Sequence, residues 1–137
     1  MSSSWHTTGP HEYHAQQGTK ARGHTYERRV GKELAVLALS RKWTFRNHEW
    51  VRAAQGNSIQ WFQPDFLLET PEHRLLFEVK LTYQQGAFDQ MAEYISILPR
   101  GLHVVPVQIC RNLTPHAPEP VTCFEDIYPG CVWHWLL

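Results

Sequence analysis

Residues 75–83, LLFEVKLTY, read as a β-strand, and the rest of the chain is most easily understood outward from them. In a strand, alternate side chains share a face. Leu76, Glu78 and Lys80 therefore point one way, and Phe77, Val79 and Leu81 the other. The second face is apolar and should pack on a helix. The first carries an acid and a base two residues apart within an apolar strand. Both are costly to bury unless they pair with each other or bind something else. A structural salt bridge is one reading of this pair, and a functional site is the other.

The preceding segment, WFQPDFLLE at 61–69, reads as a second strand, and TPEHR as the turn between them. A hairpin loop of about five residues is of ordinary length. Pairing would bring Asp65 beside Glu78. A carboxylate leading into a strand is often only a turn residue, but two carboxylates brought together repel unless a cation lies between them. Oxygen ligands with open positions suit Mg²⁺, with Mn²⁺ as a substitute. A neighbouring ammonium such as that of Lys80 can hold a water or help to deprotonate it. Asp65, Glu78 and Lys80 together describe a metal-dependent phosphodiester hydrolysis centre.

A helix is expected from Thr25, a plausible N-cap, through TYERRVGKELAVLALSRK, because Val30, Leu34, Leu37 and Ala38 recur at helical spacing. Gly31 weakens it slightly. At about 100° per residue, Glu27 lies in line with Leu34 and so on the inward face. It is either a contact to the helix dipole or a third carboxylate of the site.

These residues carry a family resemblance. Pro64-Asp65 followed by Glu78-Val79-Lys80 resembles the motif of the PD-(D/E)xK nuclease superfamily, with thirteen residues from Asp65 to Glu78. RGHTYERRVGKEL, with Gly23, Glu27, Arg28, Val30 and Leu34, is similar to the first helix of archaeal-type Holliday junction resolvases. Gly56-Asn57-Ser58 resembles their small turn before the Pro-Asp. In Gln90-Met-Ala-Glu-Tyr94 the chain also resembles the QxxxY helix of RecB-like members. The likeness to the junction resolvases covers about residues 20–82, and the QxxxY helix lies beyond it. It implies an α/β, restriction-endonuclease-like core: a central mixed sheet flanked by helices, in αβββαβ order, with the site along one sheet edge. It also implies that Asp65, Glu78 and the Val79 carbonyl ligate Mg²⁺, and that Glu27 serves a second metal or its water. Lys80 would position water, and Ser58 would contact phosphate. The implied activity is that of a structure-selective DNA endonuclease, foremost a Holliday junction resolvase working as a two-fold homodimer on branched DNA. A RecB-like, restriction or end-processing nuclease is the alternative, and a DNA-binding module without catalysis the second.

The 137 residues carry 13 basic and 13 acidic side chains, so the net charge is zero, which speaks against holding polyanions by bulk charge alone. The sum hides an asymmetry, with nine Lys/Arg against four acids in residues 1–52 and four against nine in residues 53–137. Lys20, Arg22, Arg28, Arg29 and Lys32 are candidates for phosphate contacts; a solvated helix face is the plainer alternative. Gln90 and Tyr94 share a face of the helix expected in GAFDQMAEYISILP. They reach DNA or the site, or Tyr94 fills the core. In the N-terminal segment, Trp5 and Tyr13 are suited to stacking on bases or packing on a partner. The composition is too apolar for a disordered chain, at 42% hydrophobic residues.

HVVPVQICRNL reads as a further strand with Pro106 marking an edge or an irregularity, and VTCFEDIYPGCVWHWLL resists classification. The tail either joins a dimer interface or closes the core. The domain organisation expected is an N-terminal arm at 1–24 and one nuclease domain at 25–137. Cys110, Cys123 and Cys131 lack the tight knuckle of a structural zinc site and read as buried thiols. No apolar run is long enough for a membrane span, and the polar start lacks a signal-peptide core. The expectation is a cytoplasmic protein without a membrane partner.

Overall fold

In the computed structural model, residues 19–98, 103–128 and 130–137 are described. Among the described residues, helix α1 (Thr19–Arg41) comes first. It is followed by strands β1 (Thr44–Asn47), β2 (Val51–Gln55), β3 (Ser58–Phe62), β4 (Phe66–Glu69) and β5 (Arg74–Thr82). Helix α2 (Gln85–Ser96), strand β6 (Val104–Asn112), a 3₁₀ turn at Phe124–Asp126 and strand β7 (Cys131–His134) complete the order. Five strands form a mixed sheet in the order β1-β4-β5-β6-β7, while β2 and β3 form a separate hairpin. The pairs β1–β4 and β4–β5 are antiparallel, and β5–β6 and β6–β7 are parallel. The chain is thus α/β, with five strands rather than three between the two helices.

The alternation of residues 75–83 organises the two layers. Leu75, Phe77 and Val79 join Tyr26, Val30, Leu34 and Ala38 of α1 in the main core. Leu76 faces the other way, with Leu67 of β4 and Met91 of α2. The same period continues in the tail, where Trp133 belongs to the α1 side and Val132 to a cluster with Tyr83 and Cys110. Trp135 stacks on Trp133 at 4.2 Å, and its carbonyl accepts a hydrogen bond from the Tyr26 hydroxyl at 2.6 Å. The tail therefore closes the core of its own chain.

Helix α1 is already formed at Thr19, across the boundary expected at 24/25. Thr25 is not its N-cap. It lies within the helix, where its hydroxyl donates to the Ala21 carbonyl at 3.0 Å. The helix ends at Lys42, whose φ of 59° puts it in the left-handed region, with the Trp43 amide closing back on the Ala38 carbonyl at 2.9 Å. Gly31 has a packing reason. A β-carbon there would meet the Phe66 ring at 2.6 Å, so only glycine lets that ring lie against the helix.

The other departures are breaks in segments that read as continuous. The aromatic stretch after α1 splits into β1 and β2 around His48, whose φ is 54°. The segment 61–69 splits at Gln63–Asp65, so that Phe62 serves the hairpin and Phe66 the sheet. Pro106 is not on an edge strand. It lies in β6, one residue before the β7 ladder begins at Val107↔Cys131, and its ring packs so closely on Gly130 that no β-carbon fits there. Cys110 is buried, but Cys123 is exposed, with its thiol 2.9 Å from Asp126. Among the described residues, no helix is long and apolar enough to cross a membrane. The expectations for Trp5, Tyr13 and the arm up to residue 18 lie outside the described residues, as does the side chain of Lys20.

Candidate active site

The β4–β5 register runs Phe66↔Phe77, Leu67↔Leu76, Leu68↔Leu75, and one further step sets Asp65 opposite Glu78. Strand β5 continues to Thr82 while β4 begins only at Phe66, so the β5 amides past this point have no strand partner on that side. The Asp65 carboxylate replaces it, accepting from the Val79 N–H at 2.7 Å. On its other flank, the Asp65 carbonyl accepts from the His48 N–H at 3.0 Å. Asp65 is thereby held between two strands where the ladder runs out.

Burial and like charge act on both acids. Burial, then the Glu27 carboxylate, raises Asp65 to about 6; the Val79 amide, Lys80 and His48 oppose the rise. Burial, then Asp65, raises Glu78 to about 8, against the pull of Lys80 and of a backbone hydrogen bond from Asp65, with Glu27 adding a further upward push. Glu27, Asp65, Glu78 and Lys80, from α1, the start of β4 and β5, thus share one electrostatic neighbourhood. Burial first, and like charge second, leave two half-buried carboxyls inclined to hold protons.

The ligand geometry is more selective than this electrostatic grouping. Among the described residues, Glu27, His48 and Asp65 bring one potential ligand atom each within 4.8 Å of the others. Glu78 is outside that trio. The Val79 amide is committed to Asp65, and the Val79 side chain belongs to the core. His48 was not among the residues singled out from sequence. The signal for it lies in Asn47-His48-Glu49, a polar interruption in an aromatic strand.

The candidate phosphate contacts separate into groups. Arg22 and Arg29 line a cleft of about 670 Å³ with Thr25, Tyr26, Thr82 and Arg111. Arg111 also escaped the sequence reading, because it stands at the far end of β6 and meets the other two only through the fold. Arg28 and Lys32 line a smaller hollow with Glu27, His48 and Phe66, on the flank of the acids. Arg46 is engaged with Glu49 and Glu69, and Arg41 lies over the rings of Trp43 and Phe124. The basic N-terminal part is therefore not wholly available to a polyanion.

Ser58 is exposed in the β2–β3 hairpin, opposite Gln55 and next to the tight turn at Gly56. Gln90 is exposed and lines a cleft with Trp61, Phe62 and Glu93. Tyr94 is buried, and its hydroxyl lies 2.6 Å from the Val51 carbonyl oxygen and 2.8 Å from that of Gln60. That hydroxyl ties the hairpin to α2, while Tyr94 lines the same cleft as Gln90. Gln108, opposite Glu78 in the parallel register, is fully buried and grips the Gln84 backbone through both side-chain atoms at 2.9 and 2.8 Å. That double bond fixes where the chain leaves β5 for α2.

No family model and no curated protein matches the chain. Among solved structures it is similar to the crystal structure of a protein of unknown function, AF1548, with a TM-score of 0.48 and 12% identity. The likeness covers 66% of this chain and 49% of that one, so the chain spans about half the length of that protein.

Proposed function

We propose that this protein is a metal-dependent DNA endonuclease of the PD-(D/E)xK type, with a restriction-endonuclease-like core. The observation that carries the reading is the meeting of Glu27, Asp65, Glu78 and Lys80 from three separate segments, with the half-buried carboxyls of Asp65 and Glu78 pushed toward neutrality. The donor set fits a divalent cation, since a +2 charge would offset the burial and the repulsion that raise Asp65 and Glu78. Glu27 and Asp65 would hold it directly, with Glu78 and the Val79 carbonyl alongside. When bound, Mg²⁺ would supply Lewis-acid polarisation of a phosphodiester.

The chain's own groups do the remainder. Lys80 offsets the charge that develops on the phosphate and orients the attacking water. Asp65 and Glu78 keep that water in line through their carboxylate oxygens. Arg22, Arg29 and Arg111 on one side, and Arg28 and Lys32 on the other, suit a phosphate backbone passing over the acids. Branched DNA is the substrate that the resemblance to junction resolvases favours, and two symmetric cuts would require a homodimer.

Labelled four-way junction, flap, duplex and single-stranded DNA, incubated with Mg²⁺, test the reading. Junction cleavage should dominate. Glu78→Ala should slow it at least about a thousandfold, roughly 4 kcal/mol of barrier. Duplex or single strands cut as readily as junctions would replace the resolvase with an end-processing or restriction-type nuclease. Binding without any cutting would leave a DNA-binding module.

A further inference from the structure

We infer that the free edge of β3, together with the flank of α2 beside it, is a docking groove for an extended peptide that carries an arginine. The inference goes beyond the nuclease reading and does not depend on it.

The backbone supplies the first observation. Strands β2 and β3 pair only with each other. Their tight turn, Gly56-Asn57, closes on the pair Gln55↔Ser58, and the register continues through Ala53↔Gln60 and Val51↔Phe62. In a hairpin of this kind these alternate pairs exchange the ladder hydrogen bonds. The Tyr94 hydroxyl marks them, lying 2.6 and 2.8 Å from the Val51 and Gln60 carbonyl oxygens. Ile59 and Trp61 are the intervening residues, so their N–H and C=O groups point away from β2. Among the described residues, no backbone group of another element bonds to them. Natural sheets guard such an edge with lysine, proline or a bulge. Ser58-Ile59-Gln60-Trp61-Phe62 has no lysine or proline, its register runs without a bulge, and Ile59 is 42% exposed.

The second observation is what faces the edge. Ile59, Trp61, Phe62, Gln90, Glu93 and Tyr94 line a cleft of about 390 Å³ between β3 and α2. A strand added to an edge is held through its main chain, while a neighbouring pocket receives alternate side chains. The chemistry of this cleft selects the side chain. Helix α2 carries Asp89 and Glu93 and no base. Among the described residues, neither acid has a basic partner. An arginine would lay its stem and guanidinium plane along Phe62 and Trp61 and end at the Glu93 carboxylate and the Gln90 amide oxygen. The competing occupants are a single DNA strand stacked on Trp61 and the β3 edge of a second copy. Asp89 and Glu93 repel the phosphates of the first. A second copy would bring its own Asp89 and Glu93 to the seam, like charge against like.

The test uses the full chain and short fluorescein-labelled peptides of alternating Thr and Val, with Arg, Thr or Glu at the centre. Fluorescence anisotropy should show the Arg peptide binding at least ~10-fold tighter than the Glu peptide. Glu93→Gln should weaken the Arg peptide about fivefold and leave the Thr peptide within about twofold. Methylating alternate backbone nitrogens of the Arg peptide should abolish binding in one register and spare it in the other. Amide NMR spectra should show Ile59 and Trp61 moving most when the Arg peptide is added, a readout that does not depend on any variant folding. Equal binding of the Arg and Glu peptides, insensitivity to both methylation patterns, or shifts confined to residues outside β3 and α2 overturn the inference. Displacement of the peptide by an oligothymidine strand overturns it in favour of DNA. Shifts of the same amides with rising protein concentration alone overturn it in favour of a second copy.

Discussion

The two halves of strand β5 have opposite chemistry within nine residues. From Leu75 to Phe77 the strand is paired on both sides, to β4 and to β6, and its side chains are buried on alternating faces. From Glu78 onward it keeps β6 but has outrun β4, and acidic and basic side chains take over. The first half is a packed core and supplies stability. The second is a place where the sheet is one strand short, so an aspartate side chain must complete it and like charges accumulate. One strand thus builds a rigid base and, directly above it, a site that is costly to the folded protein in the absence of a cation.

The sharpest way to break this contrast is in the apolar half. Phe77 is fully buried, and Phe77→Ala should cost about 3–5 kcal/mol in urea unfolding, with little dependence on pH. The other half should behave in the opposite way. Asp65 and Glu78 are raised to about 6 and 8 from ordinary values of 3.8 and 4.5. The folded state therefore favours their protonated forms. Their contribution is fully present below pH ~4 and is lost as the pH rises through about 6 and then 8. Without divalent ions the protein should lose stability steadily across that window. Glu78→Gln should flatten the upper part of the loss, and unfolding curves at pH 5, 7 and 9 would show it. An unchanged slope in Glu78→Gln would mean that the second half carries no such burden.

A smaller effect probes the seam between the halves. Gly31→Ala drives a methyl into the Phe66 ring. The cost should be about 1–3 kcal/mol, with Asp65 displaced because it is the residue next to that ring. Loss of stability without loss of activity would show that the site tolerates movement of its base. Smallest is Tyr94→Phe, which touches neither half. It should lower stability by about 1 kcal/mol and loosen amide exchange in the β2–β3 hairpin alone.

The sequence made the strong half of this architecture readable because it is written in short-range periods. The alternation through Leu76, Phe77 and Val79, the helical stripe at Val30, Leu34 and Ala38, and the offset between Asp65 and Glu78 all follow from backbone geometry. What it concealed depended on distant partners. The strand at Cys131–His134 is four residues long and acquires its identity only beside β6. The breaks at His48 and Pro64 look like continuing strand until two different sheets claim the two sides. Tyr94 matched a motif, yet its hydroxyl is occupied by carbonyls from β2 and β3, elements that a helix pattern cannot foresee. His48 and Arg111 belong to no local pattern at all. Each reaches its cluster through a turn or a strand end whose position is fixed by tertiary contacts.

The hydrogen bond from Tyr26 to the Trp135 carbonyl spans 109 positions of the chain. Closing so long a loop is entropically slow, whereas β4 and β5 meet across a short turn. Assembly should therefore begin with the antiparallel hairpin that contains Asp65 and Glu78. The parallel strands and the tryptophan stack would be added late. The repelling acids would then come together early, before the far side of the sheet exists to hold them. A divalent ion present during refolding should speed the first step rather than the last.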